Sequence, residues 1–200
     1  MKIEEEAAQM CKEEIKMRLF LSINLNPQVR EEVAKELPTI QRYFKGKFVP
    51  KENWHVTMLF LGEVDDHLIP QLEEAMDTAA KKANPFSLYI EGIGAFPSAK
   101  KPNILWAGVK GDLDPLQRLY DDLLQELKKT PIPFDAKPKY TPHLTLARKA
   151  EILSKENPFD EVHLKSTEWQ VNALECYQSI LKPGGAEYKN ILQKRFGENE

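Results

Sequence analysis

Residues 54–62 read WHVTMLFLG and residues 143–148 read HLTLAR. Both stretches are short, apolar and built of residues that favour strands, and each carries a His-x-Thr triplet. The first pairs His55 with Thr57, and the second, 88 positions on, pairs His143 with Thr145. Side chains alternate along a strand, so positions i and i+2 emerge on one face. The expectation is two strands, each presenting one imidazole and one hydroxyl to a common surface. Val56, Met58, Leu144 and Leu146 then point into the core. One His-x-Thr alone carries little information, since a lone strand histidine is ordinarily a hydrogen-bonded core residue. Two copies in matching apolar surroundings say more.

Outward from these strands the chain nearly repeats itself. MRLFLSINL, residues 17–25, has the alternation of a strand, and Pro27 sits where a first helical turn accepts it. The helix that follows should break near Pro38. The strand carrying His55 is expected to stop at Gly62. Leu68, Leu72, Ala75, Met76 and Ala79 then mark an amphipathic helix. FSLYIEGIGAF and NILWAGV, residues 86–96 and 103–109, read as strands joined by a proline-rich turn. Past Gly111 come a strong helix with leucines along one side, a loop with four prolines, and the His143 strand. WQVNALECYQSIL and YKNILQKRF read as two further strands. Each half thus offers a helix, a His-x-Thr strand and more strands, with no low-complexity linker between. The economical architecture is α+β, two similar lobes sharing a cleft, in one domain over residues 17–200. Residues 1–16 form an acidic extension without the apolar stretch of a secretory signal, so export is not expected.

Composition excludes several classes. Hydrophobic residues make up 42% and charged residues 30%, as in an ordinary globular protein rather than a disordered one. No apolar run approaches the ~20 residues that cross a bilayer, so no membrane association is expected. Two cysteines, Cys11 and Cys176, suggest neither a disulfide framework nor a zinc site, and a reducing cytoplasm fits. The net charge of -3 argues against wholesale coating of nucleic acid. Arg42, Lys45, Lys47 and Lys51 nevertheless stand together with no acid in residues 42–51. A basic mouth on an acidic body suits one anionic end better than a long duplex.

Opening a cyclic phosphodiester requires a base for the incoming oxygen and an acid for the departing one. In an in-line displacement these oxygens lie on opposite sides of phosphorus, so two facing groups serve well. Histidine suits both roles because its ordinary pKa of ~6.5 keeps both protonation states accessible near neutrality. The threonine hydroxyls can donate to non-bridging oxygens. Neither motif has His-x-His or His-x₃-His spacing, and no Cys/His cluster lies nearby, so neither a metal nor another cofactor is expected. His67 and His163 lack a threonine two places on and read as surface residues.

Taken in their longer surroundings, these motifs resemble a known family. KFVPKENWHVTMLFLGEV, IGAFPSAKKPNILWAGV, FDAKPKYTPHLTLAR and the strands around LKPGGAEY are similar, in order, to the 2H phosphoesterase superfamily. The branch is that of the RNA 2',3'-cyclic phosphodiesterases, also called 2'-5' RNA ligases. The resemblance covers about residues 17–196. It implies a bilobal α+β fold of antiparallel sheets with pseudo-twofold symmetry around a central cleft. It further implies hydrolysis of 2',3'-cyclic phosphate ends to 2'-phosphates, with reversible 2'-5' joining in some members. The partner would be RNA ends, tRNA fragments among them, met by a monomer. By the same resemblance His55 protonates the departing 3' oxygen, His143 activates water, and Thr57 and Thr145 hold the phosphate. Arg148 matches a phosphate-contacting arginine of the family, although strict alternation turns it away from His143 and Thr145 unless the strand ends, bulges or lets it curl around the edge. Phe48 and Tyr140 are candidates to stack a terminal base at the cleft edge, and Lys101 to contact an upstream phosphate. A non-catalytic nucleotide-binding module, and a phosphodiesterase for small cyclic nucleotides, remain the alternatives.

Overall fold

The computed structural model describes residues 15–137, 139–154, 157–183 and 185–197. The acidic extension therefore lies outside the described residues but for its last two, and strand β1 already begins at Lys16, running Lys16–Asn24. The side chain of Asn26 caps helix α1 (Pro27–Tyr43) by accepting from the Val29 amide, with Pro27 in the first turn. The expected break at Pro38 does not occur. Pro38 is exposed on the outer side of the helix, and Ile40 beyond it is fully buried and holds the last turn to the core. Strand β2 (Phe44–Phe48) follows at once and was not foreseen.

Strand β3 (His55–Asp65) runs past Gly62, which sits with φ 74° at a register shift rather than at the strand end. An L-residue rarely takes that conformation, and glycine takes it freely. Helix α2 (Ile69–Lys82) buries Leu72, Ala75, Met76, Ala79 and Ala80, the face its periodicity announced. Strands β4 (Phe86–Ser98) and β5 (Lys101–Gly111) form a hairpin, followed by helix α3 (Leu113–Leu127) and strand β6 (His143–Ile152). After the short helix α4 (Pro158–Glu161), the stretch expected as one strand is split at Asn172 into β7 (Trp169–Val171) and β8 (Ala173–Lys182). Strand β9 (Gly185–Arg195) closes the order.

The strands pair antiparallel in the order β7-β4-β5-β6-β3-β1-β8-β9, with β2 also on β6. At the centre, β3 and β6 are paired at the Val56–Leu144 bridge. On either side lies a four-stranded lobe: β6-β5-β4-β7 and β3-β1-β8-β9. The units β1–α1–β3 and β5–α3–β6 match under a twofold axis through that bridge, as the expected bilobal α+β fold requires. The lobes are not the two halves of the sequence, however. Strand β4 from the first half pairs in the second lobe, and β8 from the second half pairs on β1. Asn172 splits its segment because β7 belongs to β4 and β8 to β1, and the chain crosses between lobes there. Leu21, Val56, Leu72, Leu88, Leu123, Leu144 and Leu146, all fully buried, belong to one continuous core. The opposite face of the central strands is left to the site.

Candidate active site

The Val56–Leu144 bridge decides the geometry. With those two residues opposite each other in an antiparallel pair, the register sets His55 across from Thr145 and Thr57 across from His143. Val56 and Leu144 are fully buried, so their four neighbours emerge together on the other face. Two imidazoles and two hydroxyls thus stand as a square, like groups on the diagonals. They line one open cavity of about 100 Å³ with Arg148, Phe60 and Tyr188.

Each imidazole is held in the same way. Nδ1–H of His55 donates to the Asn53 carbonyl at 2.8 Å, and Nδ1–H of His143 to the Thr141 carbonyl at 2.7 Å. A carbonyl only accepts, so the proton is fixed on Nδ1 and Nε2 is left for chemistry. Aromatic rings pack against both. Phe20 and Tyr188 flank His55, with centroids 4.7 and 5.3 Å away. Phe96 meets His143 edge-on at 5.1 Å, with Trp106 behind at 6.3 Å. Gly94 makes room for that indole: a Cβ there would lie 2.2 Å from the Trp106 ring. Burial among these rings pushes the His55 pKa down to about 4, against the opposing pull of the Asn53 carbonyl. The Arg148 and Arg30 cations and His143 depress it further. Burial lowers His143 too, again with Arg148 contributing and the Thr141 carbonyl opposing. Arg148 thus acts on both rings.

The alternation problem at Arg148 is resolved by a bulge. Leu105 pairs with Ala147 and Trp106 with Thr145, so Leu146 is an extra residue on β6. Leu146 and Ala147 are both fully buried, and Arg148 returns to the cleft face. The first motif carries the same device. Leu21 pairs with Leu59 and Ser22 with Thr57, leaving Met58 extra and turning Phe60 into the cleft. Positions 60 and 148 are therefore equivalent under the twofold, and one is apolar where the other is cationic. Among the buried polar atoms with no hydrogen-bond partner in the described residues are Ser22 Oγ and Trp106 Nε1, and the ladders set their residues opposite Thr57 and Thr145.

The remaining expected site residues are placed differently. Tyr140 does not line the cavity. Its ring stacks on Tyr120 at 4.4 Å and its hydroxyl donates to the Thr57 carbonyl at 3.1 Å, so it braces the first motif from behind. Burial pushes its phenol far above the ordinary value. Phe48 pairs opposite the buried Ala147 and packs against the core, and its neighbour Val49 reaches the cavity instead. Lys101 is exposed at the start of β5, three positions before the lining residue Ile104. His67 and His163 are exposed, away from the cleft. Trp54 is core, while Trp106 stands half-buried beside His143.

Sequence reading missed Phe60, Tyr188, Asn53 and the polar layer beneath His55. In that layer Asn24, paired opposite His55, donates to the buried Glu175, as do Asn190 and Gln193. The repeat itself held the signal for Phe60, because it stands five places after His55 as Arg148 does after His143. For the others no local pattern exists, since β8 and β9 reach the site only through the sheet. Among the described residues no group of three or more His, Cys, Asp or Glu is placed to hold a metal ion, and no helix is long and apolar enough to cross a membrane. Cys176 is free and buried, and burial pushes its thiol up to about 12.

Comparison with known proteins identifies the family and the fold. The family described as LigT like Phosphoesterase matches residues 24–106 and 109–188. A protein of Archaeoglobus fulgidus named RNA 2',3'-cyclic phosphodiesterase is 34% identical over 181 residues, 88% of this chain and 98% of its own. One of the same name from Thermotoga maritima is 30% identical over 182 residues, 90% of this chain and 96% of its own. In fold, the chain superposes on TT0787 of Thermus thermophilus with a TM-score of 0.74 at 24% identity, over 92% of this chain and 100% of that one. It superposes on E. coli LigT complexed with 3'-AMP with a TM-score of 0.70 at 21% identity, over 92% and 100%. A family match across both lobes and relatives covered almost end to end lead to one conclusion: this chain belongs to the LigT-like phosphoesterases of the 2H superfamily.

Proposed function

We propose that this protein hydrolyses terminal 2',3'-cyclic phosphates of RNA to 2'-phosphates by acid–base catalysis between His55 and His143. One observation carries the reading: the antiparallel bridge that sets two Nδ1-anchored imidazoles diagonally across one cavity, with a threonine beside each. In the reaction, Nε2 of His143 takes a proton from water as its oxygen bonds to phosphorus. The bond from phosphorus to the ribose 3' oxygen breaks, and Nε2–H of His55 supplies the proton that oxygen needs. Thr57 and Thr145 donate to the non-bridging oxygens and Arg148 balances their charge. A bound phosphate anion favours imidazolium and so works against the depression that burial and Arg148 impose on both rings. Phe60 supplies an apolar wall for the terminal nucleoside.

With the 5' hydroxyl of a second strand in place of water, the same two histidines would open the cyclic phosphate to a 2'-5' phosphodiester and a free 3' hydroxyl, a step that runs backward through the same groups. One chain brings both histidines, so the site needs no second subunit. A free, buried Cys176 accords with a reducing compartment such as the cytoplasm.

The test is product analysis with an RNA oligomer ending in a 2',3'-cyclic phosphate, in the presence of EDTA. Conversion to the 2'-phosphate is expected, and His55→Ala or His143→Ala should each lower the rate by ~10²–10⁴-fold while the thermal transition persists. A 3'-phosphate product, or full rate in either variant, overturns the assignment. Binding of such ends without turnover would mark a recognition module instead.

A further inference from the structure

Strand β2 sets a second cation opposite Arg148. The β2–β6 ladder sets Lys45 opposite Glu151 and Lys47 opposite Arg148. Residues directly opposite in an antiparallel pair share a face and touch. At the first position the result is an ion pair at 2.7 Å. At the second it is two like charges side by side, which destabilises a sheet. Lys51, at the other end of the same basic run, is paired with Glu31 at 2.6 Å. Neither Lys47 nor Arg148 has a carboxylate partner among the described residues.

The face that Lys47 presents is known from its neighbours. Arg148 lines the cavity, and so does Val49, two positions on from Lys47 and just past the end of β2, where its amide still donates to the Leu146 carbonyl of β6 at 2.8 Å. Phe48 between them points to the core. Both cations therefore rise from the cleft side at one rim. Lys149, next to Arg148, has φ 52°, a conformation rare for a residue with a side chain, and it lies where β2 and β6 slip register. The ladder is bent at this point, yet the two cations stay opposite each other.

A terminal cyclic phosphate carries one negative charge, which Arg148 matches. A second unpaired cation on the same rim calls for a second anion. In a nucleic acid strand that anion is the phosphodiester linking the terminal nucleotide to the one before it. We infer that Lys47 is a substrate-binding residue that receives this upstream phosphodiester, so that the site distinguishes an RNA end from a cyclic mononucleotide. The inference deepens the phosphodiesterase reading and rests on it.

The experiment compares kcat/KM for a dinucleotide ending in a 2',3'-cyclic phosphate with that for a nucleoside 2',3'-cyclic phosphate. Lys47→Ala is expected to lower the ratio about tenfold, in line with loss of one charge-assisted contact, and Lys47→Arg to retain it. Lys45→Ala, which removes a lysine already held by Glu151, should not change it. The kcat/KM for the dinucleotide should fall less steeply with added salt in Lys47→Ala than in the parent protein. A ratio within twofold of the parent protein, or an equal drop in Lys45→Ala, overturns the role of Lys47 and leaves the catalytic reading standing. If the parent protein turns over neither substrate, the catalytic reading falls. Calorimetry then decides the site by itself: Lys47→Ala should weaken a dinucleotide 2'-phosphate about tenfold more than a nucleoside 2'-phosphate, and equal weakening overturns it.

Discussion

His55, the proposed acid, is half-buried among aromatic rings, and that packing governs its ionisation. Its pKa, about 4 in the folded protein, lies below the ~6.5 of an unfolded chain. Between those values the unfolded chain binds a proton that the folded one refuses. Stability therefore falls as pH drops through this window and is unaffected by His55 above it. The effect reaches about 2 kcal/mol at pH 5. Urea unfolding at pH 5 and pH 7.5 should show it, and His55→Asn should narrow the gap between the two by about that amount. An unchanged gap would mean that His55 is not held neutral. Arg148 acts on both rings through its charge. Replacing it with Gln should raise both imidazole pKa values, read from NMR titration of the ring protons, while slowing turnover. A shift of one ring alone would contradict a shared position between them.

At the scale of elements, the two bulges separate what alternation predicts from what the strands do. His-x-Thr obeys period two, and its four residues were legible for that reason. Arg148 and Phe60 lie one bulge further on, at Leu146 and Met58, where a buried extra residue reverses the phase. The apolar run MLFL and the pair LA give no sign of which residue is extra. Tyr140 illustrates a different limit. An aromatic three places before His143 looks like a stacking platform, but the loop carries it against Tyr120 and the back of β3. Tyr140→Phe should therefore keep the stack and lose the hydrogen bond to the Thr57 carbonyl, a loss of about 1 kcal/mol. Chemical denaturation measures it directly. A platform for a base would show no such loss, because phenylalanine stacks equally well.

For the whole molecule, the exchange of β4 and β8 makes each lobe depend on both halves of the chain. β4 finds its partners β5 and β7 beyond the hairpin turn, and β8 finds β1 near the start. Division at Ala99 and Lys100, between β4 and β5, should give two fragments that each lack a cooperative unfolding transition. Circular dichroism and thermal scans of the separate pieces check this. A first fragment that melts cooperatively would show that its lobe does not need β8. An ordinary tandem repeat of the same pattern would have permitted independent folding.

The amino-acid sequence alone determined the strands that bear His55 and His143, the faces their threonines share, and the α+β class, because alternation and helical periodicity act between near neighbours. Helix length past Pro38, the split at Asn172, the cleft-facing turn of Arg148 and the braced position of Tyr140 were decided only in three dimensions. In each case a distant surface made the choice: the core under Ile40, the separate partners of β7 and β8, the bulged ladder with β5, and the ring of Tyr120. Such partners lie tens of residues away, where no local rule of spacing reaches.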